Sequence, residues 1–258
     1  MMDSVYPQAH WAQIVHTYTP FQIEFTGTIL MQILFYWIPC AIYLNLPTLL
    51  PSFSERHKIQ PAPRQPTSAE IRHCVLIVLR NQAMSVLIAL TTATLSLKAG
   101  RPSSFRVTAT LPSLAEFLSQ ITLCVLLREA MFYYAHRLLH TRQLYRWIHK
   151  THHKFTAPMA LASQYAHPVE HLVANTLPVA LPPMLLGSHI ITMWAFLAVV
   201  LLDTTTVHSG YDFFAGAARH HDAHHEKFNV HFGVIGLLDW VHGTGDGAGR
   251  KGQRGKKE

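Results

Sequence analysis

Charge of either sign is scarce in this chain. Only 14% of its 258 residues are charged, against about 25% in an average soluble domain. Acids are scarcer than bases, with 14 Asp and Glu against 21 Lys and Arg, for a net charge of +7. With 49% hydrophobic residues and a mean hydropathy of +0.15, this excludes a disordered chain and argues against a water-soluble globule. Cysteine is nearly absent: Cys40, Cys74 and Cys124 are odd in number, widely spaced and set in apolar sequence. That excludes a disulfide framework and zinc-finger spacing, and they read as buried packing residues. No interleaving of basic with aromatic residues accompanies the basic tail at 249–258, so a nucleic-acid partner is the weaker reading of it. No basic stretch precedes an early apolar run, so a cleaved signal peptide is not expected.

Long apolar runs are what the chain has in abundance. Phe25–Leu46 carries no formal charge over 22 residues, where crossing a hydrocarbon core takes about 20. Pro39 is expected to kink it. Asn81–Leu97 is a second uncharged run, and Thr110–Leu127 a third, with Glu116 its only charge. Leu172–Leu202 is apolar for 31 residues but broken near Leu186-Gly187-Ser188, which predicts two short helices and a tight turn. If the N-terminus is lumenal and all five segments cross, 18 Lys and Arg fall in Pro51–Arg80, Arg128–His171 and Asp203–Glu258. Only Lys98, Arg101 and Arg106 then face the lumen, a positive-inside pattern. The last two segments are also compatible with buried or dipping helices. The tail at 249–258, with Arg250, Lys251, Arg254, Lys256 and Lys257, reads as a solvated segment near anionic lipid or a targeting signal.

Histidine is the outlier, at 19 residues. His136 and His140 stand at i, i+4; His149, His152 and His153 at i, i+3, i+4; His167 and His171 at i, i+4. His221, His224 and His225 repeat the i, i+3, i+4 pattern beside His220. On a helix these spacings put imidazoles on one face a turn apart, which suits convergence on a metal. The isolated His10, His16, His57, His73 and His189 are expected to be ordinary hydrogen-bonded residues. His136, His140, His149, His152, His153, His221, His224 and His225 are too many for one ion, because a closed site takes four ligands. Two ions follow. Carboxylates are too few for a Glu-rich di-iron bundle, and an all-imidazole shell keeps the pair cationic, a setting suited to iron and O2. Glu129, at i, i+7, i+11 with His136 and His140, is a candidate to orient a ligand histidine, as are Asp222 and Glu226. Each is equally compatible with a solvated charge. The expected fold is all-α: an integral membrane helical bundle with a cytosolic histidine-rich di-metal cap.

The order H-x-x-x-H, H-x-x-H-H, H-x-x-H-H, with an apolar hairpin before the last box, resembles the membrane fatty acid hydroxylase and sterol desaturase superfamily. The resemblance runs from about Phe132 to Thr244 and rests on HRLLH (136–140), YRWIHKTHHKFTAP (145–158), YAHPVEH (165–171), VHSGYD (207–212) and RHHDAHH (219–225). The YAHP, HSGYD and HHDxHH details point to its C-4 methylsterol oxidase branch. It implies a non-haem di-iron monooxygenase of the endoplasmic reticulum membrane, multi-pass, with its histidines toward the cytosol. Electrons would come from NAD(P)H through a separate reductase and usually cytochrome b5. Such an enzyme uses O2 to hydroxylate an unactivated C–H bond of a lipid, and that branch oxidises a sterol C-4 methyl stepwise to the carboxylate. His167 and His208 match recurring positions of the branch and are candidates to complete the metal shell. His171 departs from it, LLDWVHGT (237–244) keeps part of the usual pattern, and Lys256-Lys257-Glu258 shifts a dilysine signal by one residue.

The expected organisation is a lumenal segment at 1–24, transmembrane helices at 25–127, and a fatty acid hydroxylase-type catalytic domain at 128–248. A membrane hairpin at 172–202 is inserted in that domain, and the basic tail follows. The runs Thr110–Leu127 and Leu172–Leu202 are expected to form an apolar substrate pocket, with Tyr133, Tyr165 and Tyr211 at its mouth, unless those rings are packing or interfacial residues. Two other readings stay open. One keeps the superfamily and changes the substrate to a fatty acyl, sphingoid, terpenoid or polyketide molecule. The other is a histidine-rich metal transporter, whose ligands would lie inside the spans.

Overall fold

The computed structural model describes residues 5–60, 65–155, 159–213 and 216–245; among these the regular elements are all helices, with two isolated bridges and no strands. The helices are α1 (Val5–Thr17), α2 (Pro20–Gln32), α3 (Ile38–Leu49), α4 (Pro51–His57), α5 (Ser68–Lys98) and α6 (Leu114–Leu139). They continue with α7 (Arg142–Trp147), α8 (Pro168–Glu170), α9 (Leu177–Leu185), α10 (Ile190–Val207), α11 (Ala217–Lys227) and α12 (Leu237–His242). Local chemistry sets their starts. Thr19 with Gln22, and Thr67 with Glu70, close reciprocal capping boxes on α2 and α5, and Ser113 accepts from the Glu116 amide at the head of α6.

Two wide π turns, Ile33–Trp37 and His171–Thr176, explain how proline sits inside long helices. Pro39 and Pro178 have no N–H to donate and would collide with the carbonyl four residues back. Those carbonyls, of Phe35 and Ala174, lie within the π turns, where the wider winding makes room. Helix therefore continues from Pro20 to Leu49, a longer element than the expected Phe25–Leu46.

Among the described residues three helices are long and apolar enough to cross a membrane: Pro20–Leu49, Ser68–Lys98 and Ile190–Val207. That is fewer than the five crossings expected. The run Thr110–Leu127 becomes helical only at Leu114, and its helix goes on to Leu139 through Arg128, Glu129 and Arg137. α9 has only 9 residues. The expected turn is present, with Gly187 at φ +57° between α9 and α10, a conformation that favours glycine. The charge split computed for five crossings does not carry over to three. The basic tail lies outside the described residues. Cys40, Cys74 and Cys124 are free and buried, as expected.

Candidate metal centre

The histidine boxes converge at one end of the bundle, and they do so by splitting. His136 stands on the last turn of α6 and His140 caps it. The second box lies on a 3-10 helix, His149–Lys154, and the last on α11. His136, His140, His149, His153 and His224 form one group, and His152, His208, His221 and His225 a second; within each, one ring nitrogen per histidine lies within 4.8 Å of all the others. Each i, i+4 pair stays together, while His152 and His224 cross to the other group. All eight box histidines take part, and His208, just after α10, is the ninth.

The Nε2 atoms face one another at contact distance. His136 to His149 is 3.1 Å, His149 to His140 is 2.9 Å and His140 to His224 is 3.1 Å. In the second group His221 to His208 is 2.8 Å and His225 to His221 is 2.9 Å. Several of these rings hold their neutral-state proton on the far nitrogen. Nδ1–H of His136 donates to the Phe232 carbonyl and that of His224 to the Val230 carbonyl, while Nδ1 of His149 is hydrogen-bonded to Glu170 Oε1. In the second group His208 donates to the Thr204 carbonyl and His152 to that of Tyr165. His152 and His208 therefore meet lone pair to lone pair at 3.4 Å.

Protonation is a poor way out of that repulsion. Burial and neighbouring histidines hold His136 well below its usual range and His140 down at about 2. Burial also keeps His149, His208 and His224 at about 3. A cation at the focus of each group removes the clash without a proton, because neutral imidazoles are the form a metal binds. The donor set thus fits two metal ions of the imidazole-preferring transition series.

Glu170 is the acid that the sequence reading missed. It is buried, with Oε1 2.7 Å from Nδ1 of His149, whose Nε2 touches three other histidines of the first group. Burial raises its carboxyl to about 8, so without a metal the couple is neutral; positive charge on His149 would favour the carboxylate. Its place between His167 and His171, in a stretch read for its histidines, is what hid it.

Glu129 is also buried, but it touches no histidine, contrary to expectation. It accepts the amides of Val234, Ile235 and Leu238. Asp239 accepts those of Phe232 and Gly233 and the Thr244 hydroxyl. Together they pin the loop whose Val230 and Phe232 carbonyls hold His224 and His136. The two carboxylates close on Gly233 so tightly that a Cβ there would stand 2.6 Å from Glu129 Oε1 and 2.9 Å from Asp239 Oδ2.

Other expected site residues fall outside the two groups. His167 caps α8, accepting from the Val169 amide. His171 pairs with Ser85, and His220 stacks on His231. Asp222 accepts from Gln60. Tyr133 packs on His242 and bonds Thr244, while Tyr165 packs on Phe155. Tyr211 lines a cavity of about 250 Å³, with Tyr43, Pro47, Lys58, Gln60 and Met159 among its walls. Ser209 and Gly210, which follow His208, complete that side. No wall comes from Thr110–Leu127 or Leu172–Leu202, so this pocket is not the expected one.

The comparisons with known proteins agree with this geometry. The family model for fatty acid hydroxylase matches residues 121–244, which span all nine histidines. Over 244 residues the chain is 38% identical to fatty acid hydroxylase domain-containing protein 2 of Homo sapiens, covering 92% of this chain and 72% of that one. The chain belongs to the fatty acid hydroxylase family. It is 30% identical over 236 residues to methylsterol monooxygenase 1 of Danio rerio, covering 86% and 78% of the two chains. It is also 30% identical over 260 residues to very-long-chain aldehyde decarbonylase GL1-8 of Oryza sativa subsp. indica, covering 95% and 93%. No solved structure matches it. Within this family-matching stretch lie Glu170, Glu129 and Asp239 as well as the histidines.

Proposed function

We propose that this chain is a non-haem di-iron membrane oxygenase that hydroxylates an unactivated C–H bond of a lipid, with stepwise oxidation of a sterol C-4 methyl as the reaction. The observation that carries the reading is the pair of largely buried histidine groups whose Nε2 atoms face one another. The proposed ligands are His136, His140, His149, His153 and His224 for one iron, and His152, His208, His221 and His225 for the other. A di-iron centre there would supply the reductive activation of O2 that attack on a strong C–H bond demands.

The chain's own residues do the remaining work. Glu170 and the Phe232 and Val230 carbonyls fix ring orientation in the first group, keeping each Nε2 free of a proton. Glu129 and Asp239 hold the loop that carries those carbonyls. Burial excludes water from the histidines, and the cavity beside His208 offers a place for the reacting end of a lipid. None of the nine histidines lies within the three candidate spans, which disfavours a transporter, whose ligands belong near the bilayer midplane. The sterol assignment rests on the relatives named as methylsterol monooxygenases together with the HSGYD and HHDxHH stretches.

This reading places the protein in the endoplasmic reticulum membrane with residues 128–248 as its catalytic unit and the histidines toward the cytosol. Electrons come from NAD(P)H through cytochrome b5 or a similar separate carrier. The test is expression in a yeast lacking its own C-4 methylsterol oxidase, beside a His152→Ala, His153→Ala double variant. Growth without added sterol, with C-4 dimethyl precursors falling only for the intact chain, is the expected result. Persistent precursors, with the protein present in membranes and loaded with iron, would remove the sterol and move the search to fatty acyl substrates. The name and 38% identity of the human relative favour that second reading.

A further inference from the structure

Residues 159–166, ahead of α8, are buried among the helices. Ala160–Gln164 forms a 3-10 turn whose five residues are all buried, as are Tyr165 and Ala166. It packs against α3, α5 and α10. Irregular backbone buried among membrane helices needs its carbonyls satisfied by side chains, and here α5 supplies them. Asn81, fully buried, donates through Nδ2 to the Gln164 carbonyl at 3.1 Å and the Ala166 carbonyl at 3.0 Å. Arg80 donates through Nη2 to the same Ala166 carbonyl at 3.1 Å and to Asn81 Oδ1 at 2.8 Å. Between the two clamped carbonyls lies that of Tyr165, which accepts from Nδ1 of His152 at 3.3 Å.

His152 is the one member of the second group that comes from the middle histidine box. We infer that Asn81, backed by Arg80, is a positioning residue for the second metal site, fixing the Tyr165 carbonyl that orients His152. Asn81 and Arg80 lie outside residues 121–244, the stretch that matches the family, and sit where the charged start of α5 gives way to its uncharged run. The clamp therefore joins a candidate membrane helix to the segment that orients His152 of the second group. The inference rests on the di-metal reading proposed above.

The experiment is a titration of metal-free, full-length protein in lipid nanodiscs with Co(II), followed by its visible absorption. The wild type is expected to bind in two steps, of which His221→Ala removes the one belonging to the second group. Asn81→Leu is expected to weaken that step alone by about 10- to 100-fold, the range for groups that orient a ligand histidine. Arg80→Met is expected to weaken the same step by less. Tyr36→Phe is the control, because Tyr36 bonds the Leu161 carbonyl of the same segment at 2.9 Å but holds nothing that touches His152. Its two steps are expected to keep the wild-type ratio. If Asn81→Leu does not fold, Arg80→Met carries the test. Unchanged steps in the folded variants, or equal weakening of both steps, would overturn the inference while leaving the two-metal reading intact. A wild type that binds fewer than two ions would overturn both.

Discussion

The two histidine groups are built from the same boxes but held by different parts of the molecule. The first is anchored within the cap: His149 on the Glu170 carboxylate, His136 and His224 on carbonyls of a loop pinned by Glu129 and Asp239. The second leans on the bundle. His208 donates to the Thr204 carbonyl in the last turn of α10, and His152 to the Tyr165 carbonyl of the buried 159–166 segment. The cavity beside the histidines is walled by Ser209, Gly210 and Tyr211, next to the second group. A carboxylate behind an imidazole makes it a stronger ligand than a neutral carbonyl does. The first group should therefore bind metal more tightly, while the second is the one that borders the cavity.

The comparison breaks most severely when a ligand is removed. His149→Ala and His221→Ala should each abolish product formation in the yeast assay, since both groups are required, even though each variant keeps the other group intact. A variant that stays active would show that its group is dispensable.

Glu170→Gln comes next. It keeps the shape but removes the charge behind His149, and should weaken metal binding at the first group by about 10- to 100-fold. Competition with a chelator reads this, and the second group's affinity should not move. An equal loss at both groups would erase the distinction between them.

Gly233→Ala probes the loop. The added Cβ meets Glu129 and Asp239, and overpacking of this kind costs about 1–3 kcal/mol. Thermal unfolding should register that loss, with metal retention falling first at the first group.

The smallest effect expected is that of pH on the metal-free chain. His140, His149, His208 and His224 sit at about 2 to 3 when folded, against about 6.5 when unfolded. The unfolded chain takes up protons first as the pH drops, so their contribution is whole above about pH 6.5 and is lost as the pH falls toward 3. Glu170, raised to about 8 from about 4.3 when unfolded, acts with the opposite sign: its contribution is whole below about pH 4.3 and is lost as the pH rises through 8. Unfolding temperature without metal should therefore peak at about pH 7, and a maximum below about pH 5 would contradict these assignments.

Much of this was legible in the residues. The i, i+4 pairs His136–His140, His149–His153 and His221–His225 do share a group, because that spacing aligns side chains on one helix face. The crossing of His152 and His224 was not legible, since it depends on how two short helices meet. Glu129 was placed on the correct face of α6, but sequence does not say what lies opposite, and the loop at 234–238 takes it first. Span limits are blurred for a related reason. α6 runs on through Arg128, Glu129 and Arg137 into the cap, so the end of the apolar run at 110–127 is not the end of its helix. Asn81 looked like the first residue of an apolar span, whereas its amide serves the histidine end of the molecule.

The central claim, that two separate metal sites lie in the cap, is tested most directly by metal content. Full-length protein purified in nanodiscs from iron-supplied cells would be assayed for metal per chain by mass spectrometry, beside His149→Ala and His221→Ala. Two ions in the wild type and one in each variant is the result expected from the two groups. One ion or none in the wild type, or loss of both ions from either single variant, would contradict the account.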